Sequence, residues 1–87
     1  MPRYLSLHSL ACMTRQGAEA LLKSLAADPG AVLLRHTAWN FVEGRMLAEL
    51  EAPDRETAEH WLEQKGMRPQ WLMRIEYESN GGELKAV

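Results

Sequence analysis

The chain of 87 residues has a single cysteine, Cys12. One thiol excludes an intrachain disulfide and any multi-cysteine metal knuckle, and it fits a reducing compartment, so a cytoplasmic protein is expected. Charge of one sign is also scarce: ten Lys+Arg stand against twelve Asp+Glu, for a formal net charge of -2. That balance lacks the basic excess of a general nucleic-acid binder, and no nucleic-acid partner is expected. Long apolar runs are missing too, with nothing near the roughly 20 residues that span a bilayer, so no membrane partner is expected either. Arg3 ahead of Tyr4 to Met13, with Leu10-Ala11-Cys12 beyond, has the outline of a lipoprotein leader. Ser6, His8 and Ser9 interrupt it and leave it too short and too polar for a secretory core. A phosphate-binding glycine loop, a Ser/His/Asp signature, internal repeats and low-complexity segments are all absent.

What is present is an ordinary globular composition, 46% hydrophobic and 25% charged. The length suits one domain, expected over residues 1–79 with a C-terminal tail at 80–87. A chain this short buries only about 60–65% of its unfolded surface, so a second subunit would add useful stability.

Hydropathy periodicity predicts the elements. Tyr4 to Leu10 alternates as a strand, and Thr14 is placed to cap a helix over Arg15 to Ala27 whose Ala18, Leu21, Leu22 and Leu25 form one stripe. Asp28-Pro29-Gly30 stops that helix. Ala31 to Val42 and Arg45 to Glu51 read as two strands joined at Glu43-Gly44, a hairpin. Asp54 caps a second helix with Ala58, Trp61 and Leu62 on its apolar side, and Lys65-Gly66 ends it. Trp71 to Glu78 alternates as the last strand. Asn80-Gly81-Gly82 then breaks the pattern, leaving Glu83 to Val87 as a frayed tail or a piece ordered by a second subunit. The order βαββαβ with right-handed crossovers predicts an α+β, ferredoxin-like fold, a four-stranded antiparallel sheet of order 4-1-3-2 with both helices on one face.

Alternation assigns Leu5, Leu7, Met46, Ala48, Leu50, Trp71, Met73, Ile75 and Tyr77 to the helix-covered side. Tyr4, Ser6, His8, Arg45, Leu47, Glu49, Leu72, Arg74 and Glu76 then fall on the open side. In the second strand Val32, Leu34 and Ala38 make the better inward set, which turns Leu33, Arg35, Thr37 and Trp39 outward unless a bulge near Trp39 or Asn40 reverses the far half. His8 and Glu49 are on neighbouring strands of the open face, about 4.8 Å apart, where imidazole and carboxylate can meet if the registers agree. An oriented histidine serves as a general base or a metal ligand. His36 is the third candidate donor, but its parity is inward, so a metal site of His36, His8 and Glu49 needs a bulge or a second subunit. Trp39 near the hairpin end and Arg74 on the last strand are candidate residues of a ligand cleft. His60 is expected to face solvent, and Cys12 lacks the paired base that a nucleophile needs.

The segments Met1-Pro2-Arg3-Tyr4-Leu5, Leu34-Arg35-His36 and Glu51-Ala52-Pro53-Asp54 resemble small ferredoxin-like bacterial proteins, some nickel-binding and some of unknown function. That resemblance spans most of the chain. It implies a homodimer that binds nickel or another divalent transition metal, with His36 as the best-matched ligand. At the level of fold alone the chain is similar to dimeric α+β barrels, in which two such sheets pack face to face. These include cofactor-independent monooxygenases and muconolactone-isomerase-like enzymes, with His8, His36 or Trp39 as the residues such an activity would use. The expected function is therefore a small homodimer that binds a metal ion or small ligand, with an oxygenase or isomerase as the alternative.

Overall fold

A computed structural model describes residues 1–28 and 30–87. Eight elements follow in order: β1 (Arg3–Ser9), α1 (Arg15–Ala27), β2 (Leu33–Asn40), β3 (Arg45–Glu51), α2 (Arg55–Gln64), β4 (Trp71–Ile75), β5 (Tyr77–Asn80) and β6 (Glu83–Ala86). Pro29, expected to help stop the first helix, lies outside the described residues. The first four strands form one antiparallel sheet in the order β2-β3-β1-β4, which is the expected 4-1-3-2 read from its other edge. The fold is α+β.

Local chemistry sets the helix limits. Thr14 accepts a hydrogen bond from the Gly17 N–H at 3.1 Å and so caps α1. Asp54 accepts from the Thr57 N–H at 2.7 Å and caps α2, with Glu56 in the first turn where the helix dipole favours a carboxylate. At the far end of α2 the chain turns on Gly66, at φ +70. The Gly66 N–H donates to the Glu63 carbonyl and the Met67 N–H to that of Leu62, the paired bonds of a Schellman ending.

Both helices close on one face of the sheet. Leu25 of α1 and Ala58, Trp61 and Leu62 of α2 share a core with Tyr4, Met46, Ala48, Leu50 and Leu72 from the strands. This core corrects the expected parity of β1 and β4. Tyr4, Ser6, His8 and Leu72 face the helices, and Leu5, Leu7, Trp71, Met73 and Ile75 face away. The expectation for β3 holds, with Met46, Ala48 and Leu50 inward and Arg45, Leu47 and Glu49 outward.

In β2 the register slips between Leu34 and His36, a bulge at Arg35 rather than near Trp39. Beyond it the parity inverts. Thr37 and Trp39 pair with the buried Ala48 and Met46, while His36 and Ala38 pair with the outward Glu49 and Leu47, so His36 and Trp39 each lie on the side opposite to that expected from straight alternation.

The last strand is also shorter than expected. It ends at Ile75, and Tyr77–Asn80 leaves the sheet to pair with Glu83–Ala86 across Gly81-Gly82. The segment expected to fray, or to order on a second subunit, is thus the return strand of a local hairpin. It is tied back by the Arg3–Glu78 ion pair at 3.1 Å and by a hydrogen bond from the Val87 N–H to the Glu76 carbonyl.

Candidate functional site

The uncovered sheet face is the most distinctive surface of the chain. β1 contributes Leu5 and Leu7, β3 contributes Leu47, and β4 contributes Trp71, Met73 and Ile75. Register fixes their adjacency: Leu7 stands between Leu47 and Trp71, and Leu5 between Glu49 and Met73. The patch is open to solvent, with Leu47 37%, Trp71 42% and Met73 48% exposed. Large contiguous apolar patches are uncommon on monomeric soluble proteins and mark surfaces that meet a partner or ligand.

One side of the patch carries charge. Arg3 reaches Glu49 at 2.9 Å and Glu78 at 3.1 Å, while Arg35 reaches Glu49 at 3.3 Å and Glu51 at 3.0 Å. Two guanidinium groups are thereby threaded through three carboxylates drawn from β3 and β5. Hydrogen bonds to Glu78 first and Glu49 second raise the Arg3 pKa above its ordinary value. Arg35 already faces this side by alternation from the inward Leu34, and what the bulge adds is His36, which it holds on the open face instead of returning it to the covered one.

His36 joins this group from β2, directly opposite Glu49. His8 does not. It is 3% exposed on the helix-covered side, where Ser6 Oγ lies 2.7 Å from its Nε2. The expected union of His8 with Glu49 is therefore corrected. The apolar alternation of β1 points Leu5 and Leu7 outward, and its polar members Ser6 and His8 bond to each other on the covered side. Ser6 Oγ also lies 3.5 Å from the Ala48 carbonyl oxygen. His8 Nδ1 is buried without a hydrogen-bond partner. Burial lowers the His8 pKa below its ordinary 6.5, and the Arg68 backbone, close by but outside hydrogen-bonding geometry, offsets this in part. Among the described residues, no group of three or more His, Cys, Asp or Glu side chains is gathered as a metal would require.

Trp39 and Arg74 do not share a cleft, because they belong to the two opposite edge strands. Trp39 packs against the core, donates its indole N–H to Thr37 Oγ1 at 2.9 Å and stacks on Phe41 with ring centroids 5.8 Å apart. It lines a shallow hollow of about 270 Å³ with Leu7, Ala38, Asn40, Arg45 and Leu47, so the open face dips at that end. Arg74 lines a separate hollow of about 290 Å³ with Ile75, Tyr77 and Val87, against the C-terminal hairpin. Cys12 is exposed in the loop before α1 with φ +50, and His60 is exposed on α2 as expected.

Sequence reasoning missed Arg3 and Arg35 as members of the site. The readable signal was the apolar phase of three strands, which supplies more outward and inward hydrophobic residues than two short helices can cover.

The fold and this face define a two-layer α+β domain whose sheet is covered on one side only. A crystal structure of a protein from Streptomyces coelicolor A3(2) has the same fold, with a TM-score of 0.77 over 88% of this chain and 99% of that one, at 12% sequence identity. No family model and no curated protein matches the chain. No helix among the described residues is long and apolar enough to cross a membrane.

Proposed function

We propose that this chain is a small ferredoxin-like protein that acts as a homodimer of the dimeric α+β barrel type, joining two open sheet faces and holding a small ligand between them. The βαββαβ order of the main sheet and its helices supports the ferredoxin-like assignment. The observation that carries the dimer is the phase of β1 and β4. β1 turns Leu5 and Leu7, and β4 turns Trp71, Met73 and Ile75, away from the helices, an arrangement that costs stability in an isolated subunit and returns it when a second face covers them. The arginine–glutamate network at one side gives that contact a polar rim, and the hollow beside Trp39 offers room for a ligand at its margin. Light scattering should give twice the chain mass. Leu47→Glu and Met73→Glu should each give the single-chain mass with an unchanged circular dichroism spectrum. A single-chain mass for the unaltered protein at every concentration would sink the proposal.

One observation favours a metal version of the same reading: His36 and Glu49 stand opposite each other on the open face. Imidazole and carboxylate suit nickel and other divalent transition metals, and a second copy would have to complete the donor set. Arg3 and Arg35 compete for Glu49, so such a site binds metal only by displacing those partners. Calorimetric titration with nickel chloride should show saturable binding that is lost in His36→Ala. Heat no greater than dilution would remove the metal from the proposal and leave the dimer standing.

A further inference from the structure

We propose that Asn80 is a site of spontaneous covalent modification, at which the Gly81 amide nitrogen attacks the side-chain amide, leaves isoaspartate in the chain and so undoes the C-terminal hairpin. The reactants are adjacent at an exposed turn. Asn80 closes β5, pairs with Glu83 of β6 and leaves Gly81-Gly82 as the turn between them. The Gly81 nitrogen forms a bond to Asn80 Cγ, the Cγ–Nδ2 bond breaks and ammonia leaves, giving a cyclic imide. Water then opens that ring at either carbonyl. Attack at Cγ restores the ordinary chain as aspartate, and attack at the main-chain carbonyl carbon routes the chain through the side chain as isoaspartate. The sum is one water consumed and one ammonia released, with no oxidant, reductant or second protein.

The turn favours this attack. Glycine has no side chain to shield its nitrogen, and a methyl group at Gly81 or Gly82 would meet nothing within 4 Å, so the turn stands clear of the rest of the protein. Among the described residues, no hydrogen bond engages the Asn80 side-chain amide or the Gly81 N–H. The strands that hold the turn are themselves poorly supported, because every residue of β5 and β6 is exposed and the pair forms a sheet of its own. A two-stranded hairpin is marginal in water and local opening is easiest where few contacts are buried, so the nitrogen and Cγ can swing together without unfolding the main sheet. Asn40, the other asparagine, supplies the contrast. Its Oδ1 accepts from the Glu43 N–H at 2.9 Å and its Nδ2 donates to Glu43 Oε2 at 2.6 Å. Phe41 follows it, with its ring stacked on Trp39, and its bulk crowds the nitrogen that would attack.

Isoaspartate adds one atom to the main chain at the point where the two strands meet. The pair of Asn80 with Glu83 then cannot form in register, and the pairs behind it, Glu78 with Lys85 and Ser79 with Leu84, have no buried face to hold them. The main sheet survives this opening. The hairpin is tied to it by the Arg3–Glu78 ion pair and by the bond from the Val87 N–H to the Glu76 carbonyl, and Arg3 keeps Glu49 when Glu78 leaves. The reaction needs no second copy and stands whatever the fate of the dimer reading.

The test is peptide mapping by mass spectrometry of the full chain, aged for weeks at body temperature in mildly alkaline buffer, where loss of the amide proton makes the Gly81 nitrogen a better nucleophile. Trypsin releases residues 75–85 and 36–45 as separate peptides, one for each asparagine. The 75–85 peptide should gain the mass of an amide-to-acid exchange and split into two chromatographic forms, the isoaspartyl form in excess. It should do so at least about fivefold faster than 36–45, the factor that the two hydrogen bonds at Asn40 supply. Asn80→Gln, whose longer side chain must close a larger ring, should leave 75–85 unchanged. In NMR the cross-strand proton contacts between Ser79 and Leu84 should be present in fresh protein and in Asn80→Asp, which carries the charge without the added chain atom, and lost in the purified isoaspartyl form. The proposal is overturned if 75–85 gains no mass, if 36–45 converts as fast, or if Asn80→Gln converts too. Ser79–Leu84 contacts that persist in the isoaspartyl form, or vanish in Asn80→Asp, would overturn it as well.

Discussion

Mild acidification below pH 6.5 should destabilise this protein through His8. The imidazole is buried beneath the helices with Ser6 beside Nε2 and nothing bonded to Nδ1, so the folded state favours its neutral form and lowers its pKa below 6.5. The unfolded chain then holds more protons than the folded one between those two values, and stability rises with pH across that window. Conversely, stability is lost as pH falls below 6.5 toward the folded pKa, where the loss levels off. One proton sets a ceiling of about 1.4 kcal/mol per pH unit on the slope. With an unfolding entropy of roughly 2.1 cal/mol/K per residue over 87 residues, 1 kcal/mol is worth about 5 °C, so Tm should fall by no more than about 7 °C per pH unit from this source. Calorimetry from about pH 7.5 to about pH 5, where most side-chain carboxylates remain ionised, isolates the effect. His8→Gln keeps an amide near Ser6 and cannot titrate, so its Tm should be flatter over the same range. Parallel curves for the two proteins would refute the reasoning.

Other positions give sharp expectations. Leu62→Ala empties the centre of the core where α2 meets the sheet, and urea unfolding should show a loss of about 2–5 kcal/mol. Gly44→Ala places a methyl group 3.2 Å from the Leu10 carbonyl oxygen at φ +67, and should lower the unfolding free energy measured in urea by more than about 1 kcal/mol. The Thr57 backbone N–H, followed by the Thr57 side chain, holds the Asp54 carboxyl below its ordinary 3.8. Its contribution is therefore present above 3.8 and lost as pH falls through the folded value, so Asp54→Asn should flatten the acid limb of the stability curve without altering the window governed by His8.

The helices were legible because each carries its own boundary chemistry. Thr14 and Asp54 cap, Lys65-Gly66 terminates, and the stripes Ala18/Leu25 and Ala58/Trp61/Leu62 set the buried sides. The strands were legible in place but not in direction. Alternation reports that Leu5 and Leu7 share a face, and says nothing about which face the helices take. The assumption that the more apolar set goes under the helices fails here, where Tyr4, Ser6 and His8 are buried and Ser6 bonds one ring nitrogen of His8. The bulge at Arg35 was beyond reach for a different reason: it exists only as a mismatch between two paired strands, and neither strand shows it alone. The C-terminal hairpin left a readable mark, since Gly81-Gly82 is a dipeptide that favours a two-residue hairpin turn, and Gly81 takes φ +66. Trp61 was identified correctly as a helix-core residue, yet its orphan N–H is a property of the folded surroundings that no spacing rule reveals.

The bulge has a bearing on what this sheet can become. β2 is an outer strand, and an uninterrupted outer strand presents a row of free backbone donors and acceptors on which strands of other molecules can add one after another. The slip between Leu34 and His36 breaks that row midway. Fibril growth from this side would meet a misfit in spacing. The residue that decides which way half of β2 faces is thus also a guard against runaway stacking, and a shortened chain without it would trade a self-limiting molecule for one with an open-ended edge.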